Sequence, residues 1–141
     1  MTTTTFTNGT LIVPSWMQDV NDDVYADWTS YTPVVTAGTG TFTSVSATGK
    51  SLVKGKLCYF QASITITTNG TAASYISCTL PFASSSSAQQ TVSGIETATT
   101  GKTVSGLIPA GSSSMVIRGY DGAYLGANGY IICVTGVYKL P

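Results

Sequence analysis

Histidine is missing from this chain. That excludes Ser-His and Cys-His catalytic pairs, histidine metal sites and the usual general base near neutral pH. Charge is scarce. Six basic and six acidic residues among 141 amount to 9% and cancel to a formal net charge of zero, where ordinary soluble domains carry about 25% charged residues. Nothing global therefore draws the chain to nucleic acid or to an anionic membrane. Cysteines number three, Cys58, Cys78 and Cys133, an odd count at wide spacing. With no C-x-x-C pair and no Cys/His cluster, no metal site is expected. Each cysteine sits in an apolar strand pattern, where a thiol acts as a small hydrophobe, and folding in a reducing cytoplasm is the consistent picture. No apolar run reaches about 18 residues, and MTTTTFTNGT has neither a basic nor an apolar signal region, so neither membrane insertion nor secretion is expected.

Acids that might do chemistry are few. Beyond residue 49 only Glu96 and Asp121 carry carboxyls. A glycosidase needs two of them flanking one bond, and nothing in their spacing brings these two together. Asp121 precedes Gly122 and reads as a turn residue. Gly38-Thr39-Gly40 lacks the strand-and-helix context of a phosphate loop, so it reads as a hairpin and no cofactor is expected. Asn8-Gly9-Thr10 and Asn69-Gly70-Thr71 read as turns. No catalytic set emerges, and the chain is expected not to be an enzyme.

What the chain has in quantity is threonine and serine, 24 and 17 of 141 residues, with 15 glycines and 43% hydrophobic residues. β-Branched threonine suits a pleated, half-buried surface. The expected fold is all-β, an antiparallel β-sandwich of jelly-roll type with a short N-terminal helix. Residues 1–28 form a leader and helix, and residues 29–141 the β domain. The helix is expected over residues 14–28, with Ser15 as N-cap, Gln18 at capping-box spacing and Asp19 in the first turn. Trp16, Val20 and Val24 make one apolar stripe on it. Residues 57–67 alternate strictly, with Cys58, Phe60, Ala62, Ile64 and Ile66 on the buried face. Asn69-Gly70 then signals a hairpin, returning through residues 75–80. Thr48-Gly49-Lys50 and Lys54-Gly55-Lys56 read as turns. Further strands are expected at residues 91–97, 103–108, 114–120 and 130–138, the last buried on both faces.

Charge is uneven along the chain. Residues 1–49 hold Asp19, Asp22, Asp23 and Asp27 and no base, a net of −4; residues 50–141 hold six bases and two acids, a net of +4. The acids read either as the wet face of the helix or as one side of a docking contact within or between subunits. A weakly charged surface favours association. Tyr120, Tyr124 and Tyr130 cluster in sequence and are candidates for a ligand or interface surface.

From Trp28 to Phe82 the chain resembles a module of tailed-phage fibre and spike proteins. The likeness is carried by Trp28-Thr29-Ser30-Tyr31-Thr32-Pro33, by Val35-Thr36-Ala37-Gly38-Thr39-Gly40-Thr41-Phe42-Thr43-Ser44-Val45, by Ile64-Thr65-Ile66-Thr67-Thr68-Asn69-Gly70, and by Thr79-Leu80-Pro81-Phe82. The stretches Asn128-Gly129-Tyr130 and Gly136-Val137-Tyr138 are similar to that module's last strand. Phe6-Thr7-Asn8-Gly9-Thr10, Pro14-Ser15-Trp16-Met17 and Asp19-Val20-Asn21-Asp22 resemble the short virion-attachment leader of such proteins. The resemblance implies a homotrimer of β-sandwich subunits located in the virion, assembled in the host cytoplasm and partnered by tail or major capsid protein, with host-surface glycan as a possible ligand. Trp16, Val20, Val24 and Trp28 are then the candidate attachment residues. A fibre has a long shaft between leader and module, whereas here the one runs straight into the other. A capsid decoration or cement protein is therefore the alternative to a small tail fibre or fibre tip.

Overall fold

The computed structural model describes residues 13–141. The Phe6–Thr10 motif and the Asn8-Gly9 turn lie outside the described residues. Helix α1 spans Pro14–Val24. Pro14 opens it, where the missing N–H costs nothing and the fixed φ suits the first turn. Val13 is the N-cap, extended and without a side-chain cap bond. Ser15 therefore lies inside the first turn and is not the cap, the capping box does not form, and Asp19 falls beyond the first turn. Gln18 instead donates to Asp22 across one turn, at 2.6 Å. The helix ends four residues short of the expected Trp28, where the Trp28 amide donates to the side chain of Asp27 at 2.7 Å.

Nine strands follow: β1 (Thr29–Tyr31), β2 (Val35–Thr39), β3 (Ser44–Lys54), β4 (Leu57–Thr68), β5 (Ala73–Thr79), β6 (Gln90–Glu96), β7 (Thr103–Ile108), β8 (Ser114–Gly119) and β9 (Tyr130–Lys139). The protein is all-β with one short helix, as its Thr-rich, alternating sequence requires. All nine strands join one sheet in the order β1-β3-β4-β9-β6-β7-β8-β5-β2, each neighbour antiparallel. Hydrogen-bonded pairing runs unbroken from one edge of this sheet to the other. The sheet curls around a single core that includes Phe60, Ile64, Ile76, Met115, Ile132 and Tyr138. Phe60 and Tyr138 meet edge to face, with ring centroids 5.6 Å apart. Each large apolar side chain fully buried here contributes roughly 1.5–3 kcal/mol.

The alternation over β4 is realised as expected: Cys58, Phe60, Ala62, Ile64 and Ile66 face the core. Three turn readings are corrected. Gly38 and Thr39 lie within β2, which pairs with β5 and not with β3, so Gly38-Thr39-Gly40 makes no hairpin. Asn69-Gly70 is a turn, with Gly70 at φ 63°, but it makes no hairpin. Strand β4 pairs with β3 and β9, while β5 pairs with β2 and β8, so the chain crosses from one part of the sheet to another. Gly49 lies in mid-strand of β3, opposite Tyr31. A Cβ there would sit 2.4 Å from the Tyr31 ring, so the ring's close approach, and no turn, requires glycine. Strand β9 is buried on one face only, through Ile132, Val134 and Tyr138; Val137 is exposed and Cys133 half-buried.

Strands β1 and β2 are consecutive in sequence yet form opposite edges of the sheet. Residues 32–34 bridge them, with Pro33 buried and the Val34 amide donating to Thr79 Oγ1 at 2.8 Å. The Thr43 amide donates to the Thr68 carbonyl and the Thr71 amide to the Thr41 carbonyl, each at 3.1 Å, so the link after β2 is bonded to the end of β4.

Candidate functional site

Helix α1 has no buried residue. Its apolar stripe is split. Trp16 and Val20 are half-buried, while Met17 is 60% and Val24 56% exposed. Beyond the helix, Tyr25 is 77% exposed and Trp28 is also exposed. Two hydrogen bonds tie the C-terminal end of α1 to the β3–β4 turn: Lys54 Nζ donates to the Val24 carbonyl at 3.0 Å, and the Gly55 amide donates to Asp23 Oδ1 at 3.3 Å. Of the four residues expected to act in attachment, two thus lean inward and two, Val24 and Trp28, present apolar surface to solvent.

The three tyrosines that cluster in sequence have different surroundings. Tyr120 is 71% exposed at the end of β8. Tyr124 is half-buried and donates its hydroxyl to Asn69 Oδ1, while Asn69 Nδ2 donates to the Ala72 carbonyl at 3.0 Å. Tyr124 thereby pins the β4–β5 crossing. Tyr130 opens β9 opposite Ile66 and is half-buried. Only Tyr120 offers a largely free ring.

Glu96, at the end of β6, is fully buried. Its carboxylate accepts the backbone N–H groups of Ala98, Thr99 and Thr100, the Thr100 hydroxyl, and the Ile131 amide. The β6–β7 turn is wrapped around this one side chain. Burial pushes its pKa up, but the bonds from residues 98–100 stabilise the anion more strongly and bring it down to about 2. Asp121 accepts the Ala123 amide at 3.0 Å in its own turn. Both carboxylates therefore organise turns.

A groove of about 640 Å³ runs over the side of the sheet away from the core, lined in part by Thr48, Lys50, Gln61, Ser63, Ile95 and Cys133. Register builds it: Thr48 lies opposite Ser63, Ser63 opposite Cys133, and Cys133 opposite Ile95. Sequence reading missed this surface. The alternation of β4 places Gln61 and Ser63 outside, but no local signal says that β6 lies beside β9.

Inside, the Tyr31 hydroxyl is the one buried side-chain polar atom among the described residues without a hydrogen-bond partner. Burial, with the thiols of Cys78 and Cys58 nearby, holds it far above its ordinary pKa. Burial likewise pushes the Cys78 thiol up to about 12 and raises that of Cys58. Among the described residues no group of three or more His, Cys, Asp or Glu is placed to hold a metal ion, and no helix is long and apolar enough to cross a membrane. Comparison with protein-family models, with curated proteins and with solved structures finds no match to this chain.

Proposed function

We propose that this chain is a non-enzymatic surface protein of a tailed-phage particle, a small homotrimeric tail fibre or fibre tip serving host adsorption. The observation that carries the reading is the exposed apolar flank of α1, continued by Tyr25 and Trp28, in the segment whose sequence resembles a virion-attachment leader. An 11-residue helix with no buried side chain gains little from its own domain. Its remaining apolar area is suited to a partner such as a tail or capsid protein. Tyr120 and the outer groove offer places for a host-surface glycan.

A capsid decoration or cement protein is the second reading. It is favoured by the four residues that separate the end of α1 at Val24 from the start of β1 at Thr29, which leave no shaft between leader and module. Copy number in purified particles, measured by gel densitometry against the major capsid protein, tests both. A few to a few dozen copies support the tail reading, hundreds support decoration of the head, and absence from particles refutes both.

A further inference from the structure

The outer groove has a regular construction. Two rows of outward side chains cross the sheet from strand to strand. One runs Ser30–Lys50–Gln61–Thr135 and the other Thr48–Ser63–Cys133–Ile95, each residue directly opposite the next. Between them Gly49, Ala62 and Val134 stand in register and are buried on the core side, so this row leaves only backbone as a floor. Alternation of side chains along each strand produces the two walls and the floor. The groove crosses β1, β3, β4, β9 and β6, and at one strand spacing per step it is about 19 Å long.

The floor offers a ligand little to bond. Strands β4 and β9 are paired on both sides, so their backbone groups are already engaged. Recognition falls to the walls, which carry hydroxyls, one carboxamide and one ammonium, with Ile95 as an apolar patch. Lys50 and Gln61 lie side by side on neighbouring strands, and neither side chain is bonded within the chain. The Cys133 thiol donates to Ser63 Oγ at 3.8 Å, which leaves the Ser63 hydroxyl hydrogen for a ligand. Thr135 Oγ1 donates to the Phe60 carbonyl at 3.1 Å, which leaves its oxygen as an acceptor. Among the described lining residues Lys50 is the only charged one, so no carboxylate there opposes an anion.

We infer that this groove binds an acidic polysaccharide, laid across the strands with a carboxylate on Lys50 Nζ and its hydroxyls on Thr48, Gln61, Ser63 and Thr135. A ligand rich in hydroxyls matches walls that both donate and accept, and the charge-assisted bond to Lys50 is the strongest single contact. A nucleic acid would need stacking rings and several cations, and the walls supply one cation and no exposed ring. An apolar ligand would leave the polar groups of the walls unpaired. The groove is longer than one sugar ring, which favours a chain over a single sugar. The inference rests on the host-adsorption reading proposed above and names the ligand class and the residues that would hold it.

The test is affinity electrophoresis of the full chain in gels containing polygalacturonate, alginate, hyaluronan or polysialic acid, with neutral dextran as the control. At least one of the acidic polymers should retard the wild type, and dextran should not. Lys50→Glu should raise the dissociation constant at least about tenfold and Gln61→Ala about threefold. Lys56→Glu makes the same change of charge outside the groove and should stay within about twofold of the wild type. Because neither the Lys50 nor the Gln61 side chain is bonded within the chain, both variants should melt with the wild type. Retardation by none of the acidic polymers, equal retardation by dextran, or equal weakening by Lys50→Glu and Lys56→Glu overturns the inference; the last outcome marks a general attraction of polyanions to the bases. Counting the protein in particles judges the underlying reading separately. Protein present in particles but retarded by none of the polymers sinks the inference and leaves the virion reading standing. Lys50-dependent binding by a protein that no particle contains does the opposite.

Discussion

Glu96→Gln isolates the role of the buried carboxylate without changing its size. The substitution turns one acceptor oxygen into an NH2 group facing the N–H donors of the β6–β7 turn. Hydrogen bonds to a charged group contribute about 1.5–3 kcal/mol each, and a buried donor left without an acceptor costs about 1–3 kcal/mol. With one or two of the five donor groups orphaned, the expected loss is about 3 kcal/mol at pH 7. For a chain of this size that lowers the melting temperature by roughly 10 °C. The pH dependence gives a second, independent reading. Because the folded pKa is about 2, below the ordinary 4.5 of a glutamate carboxyl, the carboxylate's stabilisation is fully present above pH 4.5 and is lost as pH falls through 2. A shift of that size corresponds to about 3 kcal/mol, which screening beneath a surface turn reduces to about 2 kcal/mol. Thermal unfolding followed by circular dichroism from pH 7 down to pH 2 should show the wild type losing this increment and Glu96→Gln losing none of it. A variant that melts within about 3 °C of the wild type at pH 7 and keeps the same acid sensitivity would refute this account of the turn.

Tyr31→Phe removes a buried hydroxyl that has no partner, so it should stabilise the fold by about 1 kcal/mol, read as a higher melting temperature. Gly49→Ala drives a methyl into the Tyr31 ring and should cost about 1–3 kcal/mol in urea denaturation, with the double variant Gly49→Ala/Tyr31→Ala recovering part of that loss. In the native protein a thiol reagent should label Cys133, which borders the outer groove, while Cys58 and Cys78 react only after unfolding; equal labelling of all three would contradict the burial described.

Residues 57–67 are legible because a strand half in a core must alternate, and β4 does so without interruption. Its partner was not legible. Asn69-Gly70 reports the backbone geometry of a turn but not which strand the chain reaches afterwards, and β5 pairs elsewhere because β3 and β9 already flank β4. Gly49 misled for a related reason: a glycine required by a neighbouring ring looks, in one sequence, like a glycine required by a turn. Ser15 was a plausible cap until Pro14, already inside the first turn, moved the start of the helix back by a residue. The tyrosines at 120, 124 and 130 are close in sequence but lie at the end of one strand, in a loop bond to Asn69 and at the start of another strand, so proximity along the chain did not make a surface. Glu96 could not be assigned from its identity, since its role is set by the backbone of the residues that follow it.

The placement of consecutive strands at opposite edges of the sheet has a mechanical consequence. Tension arriving through α1 enters the domain at β1, which is held along only three residues of β3, and passes next to residues 32–34 and then to β2, held on one side only. The last strand, β9, lies between β4 and β6 and is gripped on both sides. A copy pulled from its N-terminal end therefore yields first at β1, releasing a short length of chain while the strands that enclose the core remain paired.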